Sequence, residues 1–128
     1  GAGRSWDELV DDVATTNEAV IRRVREVGDW SGTVQSTTAV RPKATVPEMR
    51  RREVEIHHID LGLGYGFADL PADFVGFESR RLTMLWQARQ PMGLTVIPEA
   101  VLSLPEHERL AWLCGRRALD GVEPAGVL

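Results

Sequence analysis

The segment Arg50-Arg51-Arg52-Glu53-Val54-Glu55-Ile56-His57-His58-Ile59-Asp60-Leu61 places acids and imidazoles where a helix ordinarily presents aliphatic groups. Glu53 and His57 are four residues apart, so on a helix they sit one above the other, and Asp60 follows three residues later on the same stripe. At about 100° per residue, Met49, Ile56 and Leu63 flank that stripe on one side, and Val54 and Leu61 flank it on the other. Polar groups inside an apolar wedge are costly unless something compensates them. A divalent metal is one candidate, since carboxylate and neutral imidazole are both zinc ligands.

The 128 residues suit one modest domain, large enough for a core and too short for two comfortable ones. A formal net charge of −4 argues against a general nucleic-acid binder. The arginines fall in short runs (Arg22, Arg23 and Arg25; Arg50 to Arg52; Arg80 and Arg81) that read as solvated helix faces. Cys114 is the single cysteine, so no internal disulfide can form. No apolar run is long enough to span a bilayer and the start lacks a signal-peptide pattern, so a cytoplasmic location and no membrane partner are expected. The opening Gly1-Ala2-Gly3-Arg4 has no initiator methionine, which reads as a processed product, a fragment, or part of something longer.

Several helices are legible. Ser5 and Glu8 form a capping-box pair, and Trp6, Leu9, Val10, Val13, Val20, Val24 and Val27 recur at helical spacing up to a stop at Gly28. Residues 33–40 are rich in β-branched and small polar types and read as an extended segment or short strand, broken by Arg41-Pro42. Thr45 as cap and Pro47 in the first turn begin a second helix, which fades over Gly62 to Gly66. Asp73 is expected to cap a third helix, with Phe74, Phe77, Arg81, Met84, Leu85 and Ala88 on its stripes, ending at Pro91. Short strands are expected over 93–97 and 101–104. Pro105 then starts a last helix carrying Leu110, Trp112, Leu113 and Cys114, closed by Gly115. The expected fold class is mainly α with a small β component.

Among the groups that can carry chemistry, Glu53-x-x-x-His57 alone is a weak pattern, because glutamate and histidine often fall four apart on exposed helices. Asp60 is suited to accept from the His57 ring behind a metal. Only two direct ligands are evident, whereas a catalytic zinc usually has three from protein plus an open position. His58 points about 100° away from His57 and reads as a surface or loop-packing residue. His107, between Glu106 and Glu108, reads as solvated. Arg116, just past the last helix, is suited either to grip a carboxylate with two hydrogen bonds or to satisfy the helix dipole. Cys114, among apolar neighbours, reads as an inert buried thiol.

Residues 52–65, Arg52-Glu53-Val54-Glu55-Ile56-His57-His58-Ile59-Asp60-Leu61-Gly62-Leu63-Gly64-Tyr65, resemble the signature of the thiol-dependent maleylpyruvate isomerases, first known as mycothiol-dependent enzymes of the DinB-like helical-bundle superfamily. Arg109-Leu110-Ala111-Trp112-Leu113-Cys114-Gly115-Arg116 resembles the family's C-terminal Trp-Leu-x-Gly-Arg element, and Gly1-Ala2-Gly3-Arg4-Ser5 is similar to a stretch before the family's third helix. The resemblance implies a partial DinB-like bundle over 1–90 and a short C-terminal α+β element over 91–128 packed on it. It implies zinc held by Glu53 and His57, with a third ligand, a histidine, lying upstream of Gly1, in a missing N-terminal segment or a separate chain. It implies that a low-molecular-weight thiol, mycothiol or glutathione, converts maleylpyruvate, a small dicarboxylate, to fumarylpyruvate, with Arg116 engaging substrate as the catalytic residue. The C-terminal part is short beside the family's longer members. The alternatives are another metal-dependent thiol S-transferase or hydrolase of the superfamily, or a non-catalytic helical binding module with a degenerate metal site.

Overall fold

The computed structural model describes residues 3–37, 39–89 and 95–126. The chain is mainly α, with five α-helices and one two-stranded antiparallel sheet among these residues. It divides into two compact units, Gly1–Val54 and Glu55–Leu128, and the division falls within a helix.

In the first unit, α1 (Trp6–Glu26) opens on the expected capping box. Ser5 Oγ accepts from the Glu8 N–H at 3.2 Å, and Glu8 Oε2 accepts from the Ser5 N–H at 2.7 Å. Two amides that a helix start leaves without partners are satisfied together. Asp7 and Glu8 at this end, and Arg23 and Arg25 at the other, suit the helix dipole. The helix stops because Val27 turns extended, one residue before the glycine marked by the sequence. None of its residues is fully buried.

The extended run does not break at Arg41-Pro42 as expected: it turns back on itself, and both residues lie in the second strand of a hairpin. β1 (Thr33–Gln35) and β2 (Val40–Pro42) pair with Val34 opposite Arg41. Ser36 closes the turn, its hydroxyl donating to the Ala39 carbonyl at 2.7 Å and accepting from the Ala39 N–H at 3.1 Å. A 3-10 turn, Lys43–Thr45, leads directly into α2 (Val46–Asp60). The Thr45 hydroxyl donates back to the Pro42 carbonyl at 2.8 Å, and Pro47 lies in the first turn of α2, where a missing N–H costs nothing.

In the second unit, a 3-10 turn (Phe67–Asp69) precedes α3 (Ala72–Gln87), α4 (Glu99–Leu102) and α5 (Glu106–Leu113). The core is built chiefly between α3 and α5: Phe74, Leu82, Leu110, Trp112 and Leu113 are completely buried, and Val101 of α4 joins them. Trp86 meets Trp112 edge to face with ring centroids 4.9 Å apart, a favoured aromatic geometry.

Three expectations are corrected. The N-cap of α3 is Pro71, with Asp73 inside the first turn: proline supplies a preset φ, and the acid contributes through the dipole instead of capping. The buried face of α3 is Phe74, Val75, Glu78, Ser79, Leu82 and Trp86, while Phe77, Met84 and Leu85 stay substantially exposed. The buried acid Glu78 disguises that face in the sequence, and it is compensated by Arg81 Nε at 2.8 Å. Third, the strand expected over 101–104 is overturned by α4. Pro98 sets up a helical turn, its carbonyl accepting from the N–H groups of Val101 and Leu102 at 2.9 and 3.1 Å. Of the other expected strand, 93 and 94 lie outside the described residues, as does the stop at Pro91, and Thr95 to Pro98 carry no regular structure. β-pairing in the described C-terminal part is the isolated Leu119–Val122 bridge.

Leu82→Ala should lower the free energy of unfolding by about 2–5 kcal/mol, as expected for a buried leucine. Leu85→Ala, on the exposed side of the same helix, should cost far less. Equilibrium urea denaturation measures both, and equal losses would contradict this orientation of α3.

Candidate functional site

The last turn of α2 and the chain just beyond α5 meet at Asp60. His57 and Asp60, three residues apart on one helix face, bring His57 Nδ1 to 3.0 Å from Asp60 Oδ2. Arg116 reaches the same carboxylate from 56 residues away, donating from Nε to Oδ1 at 3.1 Å and from Nη2 to Oδ2 at 2.8 Å. Its Nη1 donates to the Cys114 carbonyl at 2.7 Å. The side-on, two-bond grip of guanidinium on carboxylate is the strong form of this interaction.

The backbone explains why arginine arrives there. Leu110 to Cys114 are buried and anchor the end of α5 in the core. Gly115 then adopts φ +74°, a left-handed conformation that side chains with a Cβ rarely accept. The Gly115 N–H donates to the Trp112 carbonyl and the Arg116 N–H to the Ala111 carbonyl, both at 2.9 Å. That pair of bonds is a Schellman motif, which closes the helix and turns the next residue sharply off its axis. In Trp112-Leu113-Cys114-Gly115-Arg116, the first three residues are thus the anchor, the glycine is the turn, and the arginine is what the turn delivers.

The electrostatics follow the geometry. Hydrogen bonding from Arg116 holds the Asp60 carboxyl well below the usual range, to about 2, with a smaller contribution from His57 and with burial opposing. The same bond from Asp60 raises Arg116 above its ordinary value. An ionised carboxylate can only accept, so Nδ1 carries the proton in this contact, and ligation by His57 falls to Nε2. Arg116 commits three of its five N–H groups to Asp60 and Cys114.

The apolar wedge expected around the stripe does not form, since Val54, Leu61 and Leu63 are exposed and Ile56 alone of that set is buried. Glu53 lies on the exposed side of α2, four residues before His57 within one uninterrupted helix. Among the described residues, no three His, Cys, Asp or Glu side chains gather as a metal-ligand group. In kind, the residues present fit zinc: a carboxylate and an imidazole one turn apart, with a second carboxylate behind the ring as ligating histidines usually have. In number they would supply two direct ligands. His58 is packed, its ring stacked on Tyr65 with centroids 4.2 Å apart and planes 12° from parallel, and the Tyr65 hydroxyl donates to Glu55 Oε2 at 2.8 Å. His107, expected to be solvated, is half-buried in α5, because its helix packs into the core. Cys114 is buried, as an inert thiol would be.

The sequence pointed to Asp60 as support for His57 and to Arg116 as a carboxylate grip, without joining the two. The available signal was the glycine before Arg116 together with an acid one turn beyond a candidate ligand. In comparisons with known proteins, no family model, curated protein or solved structure matches the chain.

Two outcomes follow. A carboxyl held low stabilises the fold fully above its unfolded pKa, here the ordinary 3.8, and that contribution disappears as pH falls through about 2. The stability difference between the wild type and Asp60→Asn should therefore be constant near neutrality and close between those two values. Denaturation curves collected down the acid range test this, and a gap that widens on acidification would contradict it. Gly115→Ala should cost about 1–2 kcal/mol from its left-handed backbone. It should also release Arg116 from Asp60, seen by NMR as loss of the slowed exchange of the Arg116 Nε proton.

Proposed function

We propose that this chain carries the larger part of the active centre of a thiol- and metal-dependent cis–trans isomerase, converting maleylpyruvate to fumarylpyruvate. The observation that supports the reading is the meeting of His57, Asp60 and Arg116: the two separate segments resembling the isomerase family converge on one carboxylate. Glu53 and His57 Nε2 would hold the metal, zinc being the best match to these donors. A third protein ligand would come from outside the described residues, in a preceding segment or a separate chain. When bound, the metal would supply the Lewis acidity that lowers the pKa of a small thiol such as mycothiol or glutathione.

The chain's own residues then have distinct tasks. Asp60 fixes the His57 ring through Nδ1 and keeps Nε2 as the ligating nitrogen. Arg116 offers its two remaining N–H groups to a substrate carboxylate. It holds that end while the conjugated double bond, made single by thiolate addition, turns before the thiolate leaves. It also offsets the charge that develops on the enolate. No protein nucleophile is needed, and Cys114 takes no part.

Maleylpyruvate turnover by the intact protein, including whichever segment or separate chain supplies the third ligand, with and without added thiol, and its zinc content by mass spectrometry test the reading. Turnover should require thiol, and Glu53→Ala and His57→Ala should each lose both zinc and turnover. Asp60→Asn should weaken zinc affinity by about 10–100-fold, as loss of a ligand's supporting partner does. Thiol-independent turnover, or full zinc content in both ligand variants, sinks the proposal.

A further inference from the structure

We infer that Tyr65 is a positioning residue: clamped on Glu55 and His58, it holds closed the last turn of α2, from which His57 and Asp60 project. Its consequence for metal binding rests on the function proposed above, whereas its consequence for the Asp60–Arg116 pair stands without that reading.

A helix opens first at its end, where the final carbonyls lack partners within the helix. The backbone of α2 shows the point of weakness. The Leu61 N–H is shared between the carbonyls of His57 and His58 at 3.2 and 3.3 Å, and the Gly62 N–H donates to the Ile59 carbonyl at 3.0 Å, a tightened final turn. His57 and Asp60 belong to this turn, so opening it withdraws Asp60 from Arg116 and frees the His57 ring.

Residues three apart share a face of the helix, which sorts the end of α2 into three pairs. Ile56 and Ile59 face the core, the first buried and the second half-buried. His57 and Asp60 form the face of the candidate site. Glu55 and His58 form the third face, and Tyr65 covers it. Its hydroxyl donates to Glu55 Oε2 at 2.8 Å, and its ring lies on the His58 imidazole with centroids 4.2 Å apart. The two contacts are one turn apart, so a single side chain spans the closing turn.

A clamp holds only if its own base is fixed. Gly62 and Gly64, at φ +67° and +91°, turn the chain back along the helix. Beyond Tyr65, the Gly66 N–H donates to Asp69 Oδ2 at 2.8 Å and the Asp69 N–H to the Gly66 carbonyl at 3.0 Å. These bonds close the 3-10 turn that leads to the buried Leu70, and Tyr65 itself packs half-buried against the core. Arg116 does not replace this restraint. It orients the Asp60 carboxylate, but both partners are accessible to solvent, and such pairs contribute little net stability. A phenol donating to a carboxylate makes one of the stronger hydrogen bonds, and here the contact is partly shielded.

Hydrogen exchange by NMR and zinc titration of the intact protein, including whichever segment or chain supplies the third ligand, test the inference. Tyr65→Phe keeps the ring and removes the hydroxyl. Without added zinc, exchange of the Gly62 amide and the Arg116 Nε proton should accelerate by about tenfold, the scale of one lost hydrogen bond to a charged group. The amides of Leu82 and Leu110 in the core should keep their wild-type rates. Glu55→Gln, whose amide oxygen still accepts from the phenol, should stay close to wild type. Zinc affinity of Tyr65→Phe should fall by about threefold or more, because the ring of His57 is less firmly set. Unchanged exchange at Gly62 and Arg116 overturns the inference. So does equal acceleration at Leu82 and Leu110, which marks a general loss of stability, or wild-type zinc affinity despite faster local exchange. A wild type that takes up no zinc overturns instead the proposed function, and the exchange rates then decide alone whether Tyr65 holds the Asp60–Arg116 pair.

Discussion

The packing of Trp112 against α3 is the contact on which the second unit depends. α5 has eight residues, too few for a helix to persist in water by its own hydrogen bonds. Its position comes from burial: Leu110, Trp112 and Leu113 are completely enclosed, and Trp86 closes on the indole edge to face. Because the helix end is fixed, the Schellman turn is fixed, and so is the direction in which Arg116 leaves it. Arg116 sets Asp60, and Asp60 sets the ring of His57. A site composed of exposed polar groups thus takes its geometry from an apolar contact on the far side of a glycine.

Two arginine–carboxylate pairs in the same unit illustrate opposite uses of one chemistry. Glu78 is buried and held by Arg81 within α3. Removing one partner of such a pair strands a charge away from water, so its role is structural. Asp60 and Arg116 each keep about a third of their side chains accessible, 34% and 30%. Accessible pairs contribute little net stability, since water competes for both partners. The same competition lets a pair of this kind exchange partners. In the proposed function, a substrate carboxylate would meet in Arg116 a cation already oriented by Asp60.

Local signals in the sequence translated well where the physics is local. The Ser5–Glu8 capping box, the extended run from Thr33, the proline in the first turn of α2 and the glycine after α5 each act through neighbours within a few residues, and each is found in the fold. What the sequence obscured depends on distant partners. Glu78 is an acid and does not count toward an apolar stripe, so the stripe drawn through Phe77, Arg81 and Leu85 falls one position short of the buried Glu78, Leu82 and Trp86. Residues 101–104 have the composition of a buried strand, yet Pro98 and Glu99 start a helical turn that Val101 completes by entering the core. For the site, spacing alone put Glu53, His57 and Asp60 on one helix. The tie from Asp60 to Arg116 spans 56 residues and has no periodic signature, so only the folded chain reveals it.

Tyr65 is the chain's single tyrosine. It lies flat on the His58 ring and donates its phenolic hydrogen to Glu55, which bridges the loop after α2 to the helix itself. Stacked rings at this separation shield each other's protons, so His58 and Tyr65 carry a mutual ring-current signature. With one tyrosine present, its phenolic resonances form a single set that needs no sequential assignment. The fold therefore contains its own reporter for the closing turn of α2, the turn that also carries His57 and Asp60.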